Sequence, residues 1–308
     1  MFINHCTMSD ATDRRSFLRR SSLGGCALAL GDLGILSNLP AVSAAEAAPD
    51  PKVVRLHPEI EPTVRLIELT PRDRLLEAVA TKVRSGALGY REVLAALLLA
   101  GVRNVQPRPA VGFKFHAVLV VNSAHLASMA SPDGERWLPI FWALDEFKKS
   151  QARDVQEGNW TMAPVDEPRV PPPHKARRAF IKAMESWDVE AADVAVAALA
   201  RTAPVNEVFE LFARYGSRDF RSIGHKAIFV ANAFRSLQCI GWRHAEPVLR
   251  SLAYALLNHN GQPNPAESDL DADRPWRENA DRAKGLARSW RWGKPDAAAT
   301  TDLLEALR

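Results

Sequence analysis

From Arg72 onward, apolar residues recur at helical spacing. Leu75, Leu76, Val79 and Val83 fall three or four residues apart. Val93, Leu94, Leu97, Leu98 and Val102 do the same, and Gly101 stands where a helix stop is expected. Stripes of the same period occupy residues 137–147, 176–187, 189–199, 208–212 and 247–257. Pro139 and Pro247 fit a helix only in its first turn, which marks where those two begin. Residues 111–121 carry both periods: Val111, Phe113 and Phe115 alternate as in a strand, and a β-branched run follows. The counterpart at 224–237 is helical in period, and both stretches are assigned as helices. No hairpin turn or regular strand spacing stands elsewhere. The pattern predicts an all-α fold of stacked helical hairpins, an α-α repeat array running right-handed through two and a half units.

Two breaks divide the array. Residues 157–174 hold Pro171-Pro172-Pro173 and further prolines and read as a stiff linker. Residues 259–275 read as a polar loop. An internal repeat spans the first break. Glu92-Val93-Leu94 through Gly101-Val102-Arg103-Asn104 matches Glu207-Val208-Phe209 through Gly216-Ser217-Arg218-Asp219 at one spacing. Each block leads to a helix opening with histidine, His116-Ala117-Val118-Leu119 and His225-Lys226-Ala227-Ile228, and then to another apolar helix. The expected organisation is an extended segment at 48–71, a unit at 72–156, the linker, a second unit at 175–258, the loop, and the start of a third unit at 276–308. There, 302–307 resembles 207–212 position by position, either as a terminal cap or as a third unit cut short relative to its relatives.

The first 47 residues read as an address. Asp13-Arg14-Arg15-Ser16-Phe17-Leu18-Arg19 resembles the twin-arginine export signal, with Arg14, Arg15, Phe17 and Leu18 carrying the likeness and Asp13 and Arg19 departing at the flanks. A diluted apolar stretch follows from Leu23 to Leu39, too short and interrupted for a membrane span, and small residues offer cleavage after Ala44 or Ala47. Met8 is an alternative start. The expected partner is the twin-arginine export machinery, and the expected location is periplasmic or extracellular. Export of folded proteins by this route raises the expectation of a bound cofactor. Cleavage would leave Cys239 alone of the three cysteines, which excludes an intrachain disulfide.

Composition narrows the remaining classes. At 308 residues with 47% hydrophobic and 25% charged side chains, the chain can bury a substantial core. Its net charge of +4 is scattered rather than striped, which argues against nucleic-acid binding. No later segment reaches spanning length without charge, so no transmembrane segment is expected in the mature chain. There is no phosphate-binding glycine loop, His-Glu-x-x-His, Cys-x-x-Cys, Cys-x-x-Cys-His or Gly-x-Ser-x-Gly. No nucleotide-binding motif is therefore present, and a metal or haem stays open as cofactor.

The equivalent histidines His116 and His225 are the leading candidates for chemistry. A helix N-terminus lowers an imidazole's pKa, and a neutral imidazole can ligate metal or haem iron or act as a base. Seven residues beyond each, on nearly the same face, lie Ser123 and Asn232, candidate hydrogen-bonding or cofactor-binding partners. His125 points to the opposite face, and His244 begins the next helix, from where it could approach His225. The alternative is structural: a repeated histidine that caps its helix or satisfies a buried carbonyl. Arg103-Asn104 and Arg218-Asp219 read as repeated polar corners that satisfy a helix end. Trp137, Trp142, Trp187 and Trp242 lie on apolar stripes and are expected in the core. The cluster His174-Lys175-Ala176-Arg177-Arg178 reads as a solvated face.

Phe115-His116-Ala117-Val118 and Gly224-His225-Lys226-Ala227 resemble the histidine-led helices of questin oxidase-like proteins. That family is helical and, in its fungal members, carries out flavin-independent ring-cleaving oxidation. The resemblance implies an exported metal- or cofactor-dependent oxidoreductase, with His116 and His225 facing a shared pocket. The rival expectation is a non-catalytic helical-repeat binding or scaffold protein, or an inactive fragment of either.

Overall fold

Between Glu92 and Arg103 the chain runs ten residues without a charge. A helix that is apolar all round has to be enclosed. In the computed structural model, which describes residues 53–54, 56–107, 117–218, 221, 224–259 and 261–308, this stretch forms α3 (Tyr90–Asn104), buried without interruption from Val93 to Arg103. Five helices enclose it: α1 (Glu61–Leu69), α4 (Ala117–Ala130), α5 (Trp137–Gln156), α9 (His225–Ile240) and α10 (Ala245–Leu257). The remaining helices among the described residues are α2 (Arg72–Arg84), which packs on α5, then α6 (Pro173–Glu185), α7 (Val189–Thr202), α8 (Val205–Gly216), α11 (Arg274–Lys284) and α12 (Ala297–Ala306). No strand occurs among the described residues, and the all-α fold predicted from periodicity is what the chain adopts.

Sequential hairpins are present: α4 against α5, α6 against α7, and α8 and α9 against their successors. Contacts distant in sequence join them. α4 packs on α9, α3 on α10, and α7 on α10, so the two sequence units share one hydrophobic core. The repeated glycine has a local reason at Gly216. A Cβ there would stand 2.6 Å from Val230 Cγ2, so a side chain would push α8 away from α9. Helix ends follow sequence chemistry. Asp188 accepts from the Ala191 amide at 2.9 Å at the start of α7, and Glu92 accepts from the Gly89 amide at 2.7 Å at the start of α3. Two buried lysines finish helices from inside: Lys148 donates to the carbonyl of Glu68 (2.7 Å), and Lys226 to those of Leu256 (2.8 Å) and Asn258 (2.7 Å).

Several expectations need correction. Residues 48–71 are not wholly extended: Glu61–Leu69 is helical, because Ile60, Val64 and Ile67 form a buried stripe and Pro62 sits in the first turn, where it breaks nothing. The 157–174 segment is docked rather than a free spacer. Val54 donates to the Met162 carbonyl (2.8 Å), and Met162 donates to that of Arg103 (2.9 Å). Asp154 turns the chain into this segment by accepting from the amides of Gln106 (3.1 Å) and Trp160 (2.7 Å). Trp142 is 54% exposed and outside the core, whereas Trp187 is buried. Pro139 and Pro247 do lie in first turns, and α11 and α12 follow the polar loop with no buried residue of their own. The twin-arginine residues Arg14, Arg15, Phe17 and Leu18 and the two-period stretch up to His116 lie outside the described residues.

The repeated arginines serve different ends. Arg103, with 6% of its side chain exposed, is clamped by Glu68 (2.7 and 2.6 Å) and Glu61 (2.9 Å). Burial works against its charge, and the two carboxylates outweigh that effect and raise its pKa. Arg218 lies 3.7 Å over the Trp187 ring and donates to the Met184 carbonyl. Breaking the first cluster leaves carboxylates without their buried partner. Arg103→Met is therefore expected to lose about 3–5 kcal/mol of unfolding free energy in urea titration; a variant as stable as the parent would show the cluster to be dispensable.

Candidate functional site

His225 opens α9 directly after Gly224, whose φ of +83° makes the left-handed entry, and its side chain is half-buried. His116, its sequence equivalent, lies outside the described residues. Asn232, two turns beyond His225, is buried and accepts from Asn122 Nδ2 at 3.0 Å. This bond joins α4 to α9, the two helices that the histidines lead. Ser123 is not the partner, because it faces solvent one residue out of register with the contact. Asn122 Oδ1 and Ser236 Oγ are buried beside no hydrogen-bond partner.

His244 does not join His225. The two stand at opposite ends of α9, about 22 Å apart along a helix rising about 1.5 Å per residue. His244 is 3% exposed, its Nε2 accepts from Arg243 Nε at 3.2 Å, and Arg243 reaches Glu59 at 3.0 Å. Burial, with help from the nearby positive Arg243 and from His57, lowers its pKa to about 4. His125 is also held low by burial and shares a hydrogen bond of 2.9 Å with the Tyr90 hydroxyl. Cys239 is half-buried, and burial raises its thiol pKa. Among the described residues, no group of three or more His, Cys, Asp or Glu is placed to hold a metal ion.

A cleft that the sequence did not announce lies between α7 and α10, under the docked segment that begins at Trp160. Its volume is about 380 Å³, within the ordinary range of small-molecule sites. Trp160 and Tyr254 line it with ring centroids 6.0 Å apart, and the Tyr254 hydroxyl accepts from Gln106 Nε2 at 2.8 Å. Arg250 joins the two helices through a bidentate pair with Asp193 (2.7 and 2.9 Å), and its Nη2 also donates to the Ala163 carbonyl (2.8 Å). Its Nη1 has no hydrogen-bond partner, although only 3% of the side chain is exposed. At the rim, Arg169 pairs with Glu190 at 3.2 Å and approaches Asp166 at 3.9 Å. The lining therefore carries three carboxylates against two guanidinium groups, one negative charge in excess.

A second hollow, of about 480 Å³, is lined by Arg72, Lys148 and Lys149, but these cations are engaged by Asp145 and by helix carbonyls. The α7–α10 cleft escaped sequence reasoning because Trp160 and Met162 lie in a stretch read as linker. One signal was available: Arg250 is the one charge beyond the first turn of the helix Ala245–Leu257. No family model, no curated protein and no solved structure matches this chain. No helix among the described residues is long and apolar enough to cross a membrane.

The neutral, buried His244 has a consequence for stability. Its folded pKa is near 4, below its unfolded value near 6.5, so the unfolded chain takes up the proton first as pH falls. Stability is full above about pH 6.5 and is expected to decline down to about pH 4, by about 3 kcal/mol. Urea titrations from pH 7 to 4 check this: His244→Gln should flatten that part of the profile, and an unchanged slope would assign the loss to other groups.

Proposed function

We propose that this chain is an exported protein that binds a small, uncharged aromatic compound bearing a carbonyl-type oxygen in the α7–α10 cleft. The observation that carries this reading is Arg250, a guanidinium whose buried Nη1 has no hydrogen-bond partner, in the wall of a cleft that Trp160 and Tyr254 also line. A buried charged donor without an acceptor is costly, and a ligand oxygen would relieve that cost. The guanidinium charge is already offset by Asp193, and the rim is negative in excess, so a neutral acceptor suits the site better than a carboxylate. Trp160 and Tyr254 supply flat apolar surface for the rest of the molecule. Export rests on the likeness of residues 13–19 to the twin-arginine signal.

Titration calorimetry with 2-acetonaphthone, 2-naphthoate, 2-naphthylmethylammonium and naphthalene tests the proposal. The ketone should bind tightest, and Tyr254→Ala should weaken it at least tenfold. Equal affinity for all four compounds, or indifference to Tyr254→Ala, would remove this reading.

A second reading keeps His116 and His225 as the centre of a metal- or haem-dependent oxidoreductase of the questin oxidase-like type. It is supported by the resemblance around both histidines and by the packing of α4 on α9. Elemental analysis and a visible spectrum of natively exported protein separate the two. A stoichiometric metal or haem band that disappears in the His116→Ala/His225→Ala double variant favours the oxidoreductase, and a metal-free protein with an unaltered spectrum argues against it.

A further inference from the structure

Helices α8 and α9 come close where Gly216 meets Val230, and a groove of about 660 Å³ lies between them nearer the start of α8. Its volume exceeds that of the α7–α10 cleft and lies within the range of small-molecule sites. Ala231, Phe234, Arg235 and Gln238 recur three and four residues apart, so α9 turns one continuous face into the groove. Val205, Asn206 and Phe209 line it from α8. The Phe209 ring meets Phe234 edge-on with centroids 4.9 Å apart, yet Phe209 stays 44% exposed. Val205, one turn earlier, is open to the same degree. We propose that this groove binds a small carboxylate with an apolar tail, the carboxylate on Arg235 and the tail along Val205, Phe209 and Phe234.

Charge selects the occupant. Among the described residues, Arg235 is the only ionisable side chain lining the groove, and it makes no ion pair there. Asn206 on one wall and Gln238 on the other add neutral amide donors. The acids nearby on α8 do not fill the site: Glu207 turns to Arg177 at 3.3 Å, and Glu210 stands outside the lining. A guanidinium recognises a carboxylate through two parallel hydrogen bonds. In the α7–α10 cleft the arginine is already held by Asp193 and carboxylates are in excess. The two sites therefore select opposite ligands, a neutral acceptor in one and an anion in the other. A single cation in an apolar hollow suits one molecule rather than an anionic lipid surface, which draws on clusters of cations. From Ala231 to Gln238 the helix rises roughly 10 Å, which sets the tail at medium length.

Titration calorimetry of the full chain with decanoate, decan-1-ol and decyltrimethylammonium tests the proposal. Decanoate should bind at least tenfold more tightly than the other two. Arg235→Gln, at an exposed position, should reduce decanoate to the affinity of decan-1-ol and leave the alcohol unchanged. Val205→Glu puts an acid in the first turn of α8, where the helix dipole favours it, and should weaken decanoate at least tenfold while strengthening the cation. Tyr254→Ala, in the other cleft, should leave all three affinities as they were. Equal affinity for the three amphiphiles, no binding of decanoate, or decanoate binding indifferent to Arg235→Gln would overturn the proposal. Decanoate binding lost in Tyr254→Ala but kept in Val205→Glu would move it to the α7–α10 cleft and overturn it as well.

Discussion

The enclosure of α3 governs the structure around it. A helix buried from Val93 to Arg103 can exist only if other elements arrive on every side, and they come from both ends of the described chain. Its last buried residue is a charge. Arg103 therefore forces carboxylates inward, and Glu61 and Glu68 on α1 supply them. Helix α1 is thus placed by an ionic requirement as well as by the burial of Val64 and Ile67. The carbonyl of Arg103 then receives the Met162 amide, which draws the proline-rich segment across the body. One helix thereby positions both the segment that roofs the cleft and α10, which carries Arg250 and Tyr254.

The Gly-x-Arg corner occurs at both 101–103 and 216–218, yet one arginine is buried among carboxylates and the other lies on an indole face. Trp187 itself holds a left-handed backbone with φ of +56°, a costly conformation for a large side chain that its packing sustains. Asn122 and Asn232 form a polar joint between the two stretches.

Periodicity made the helices legible from α2 onward, since a solvent-facing helix declares its buried face every three or four residues. α1 was hidden by Pro62, a residue whose effect depends on whether it stands in the first turn or later. Candidate chemistry was less legible. Ser123 and Asn232 share a spacing from their histidines, but helix rotation buries Asn122 in place of Ser123. His244 looked close to His225 because the chain turns between them, whereas α9 separates them by its full length. The cleft depends on pairs such as Trp160–Tyr254, separated by 94 residues (254 − 160), and no local pattern reports such a meeting.

Lys148 and Lys226 cap helices from within the protein, their ammonium groups spent on main-chain carbonyls. Both are far less accessible to acylating reagents than surface amines such as Lys175 and Lys284. Covalent modification at these two positions thus becomes a chemical clock for transient opening. Lys148 reports on the α1–α5 junction and Lys226 on the α9–α10 junction, so the order in which they acquire label follows which part of the shared core loosens first.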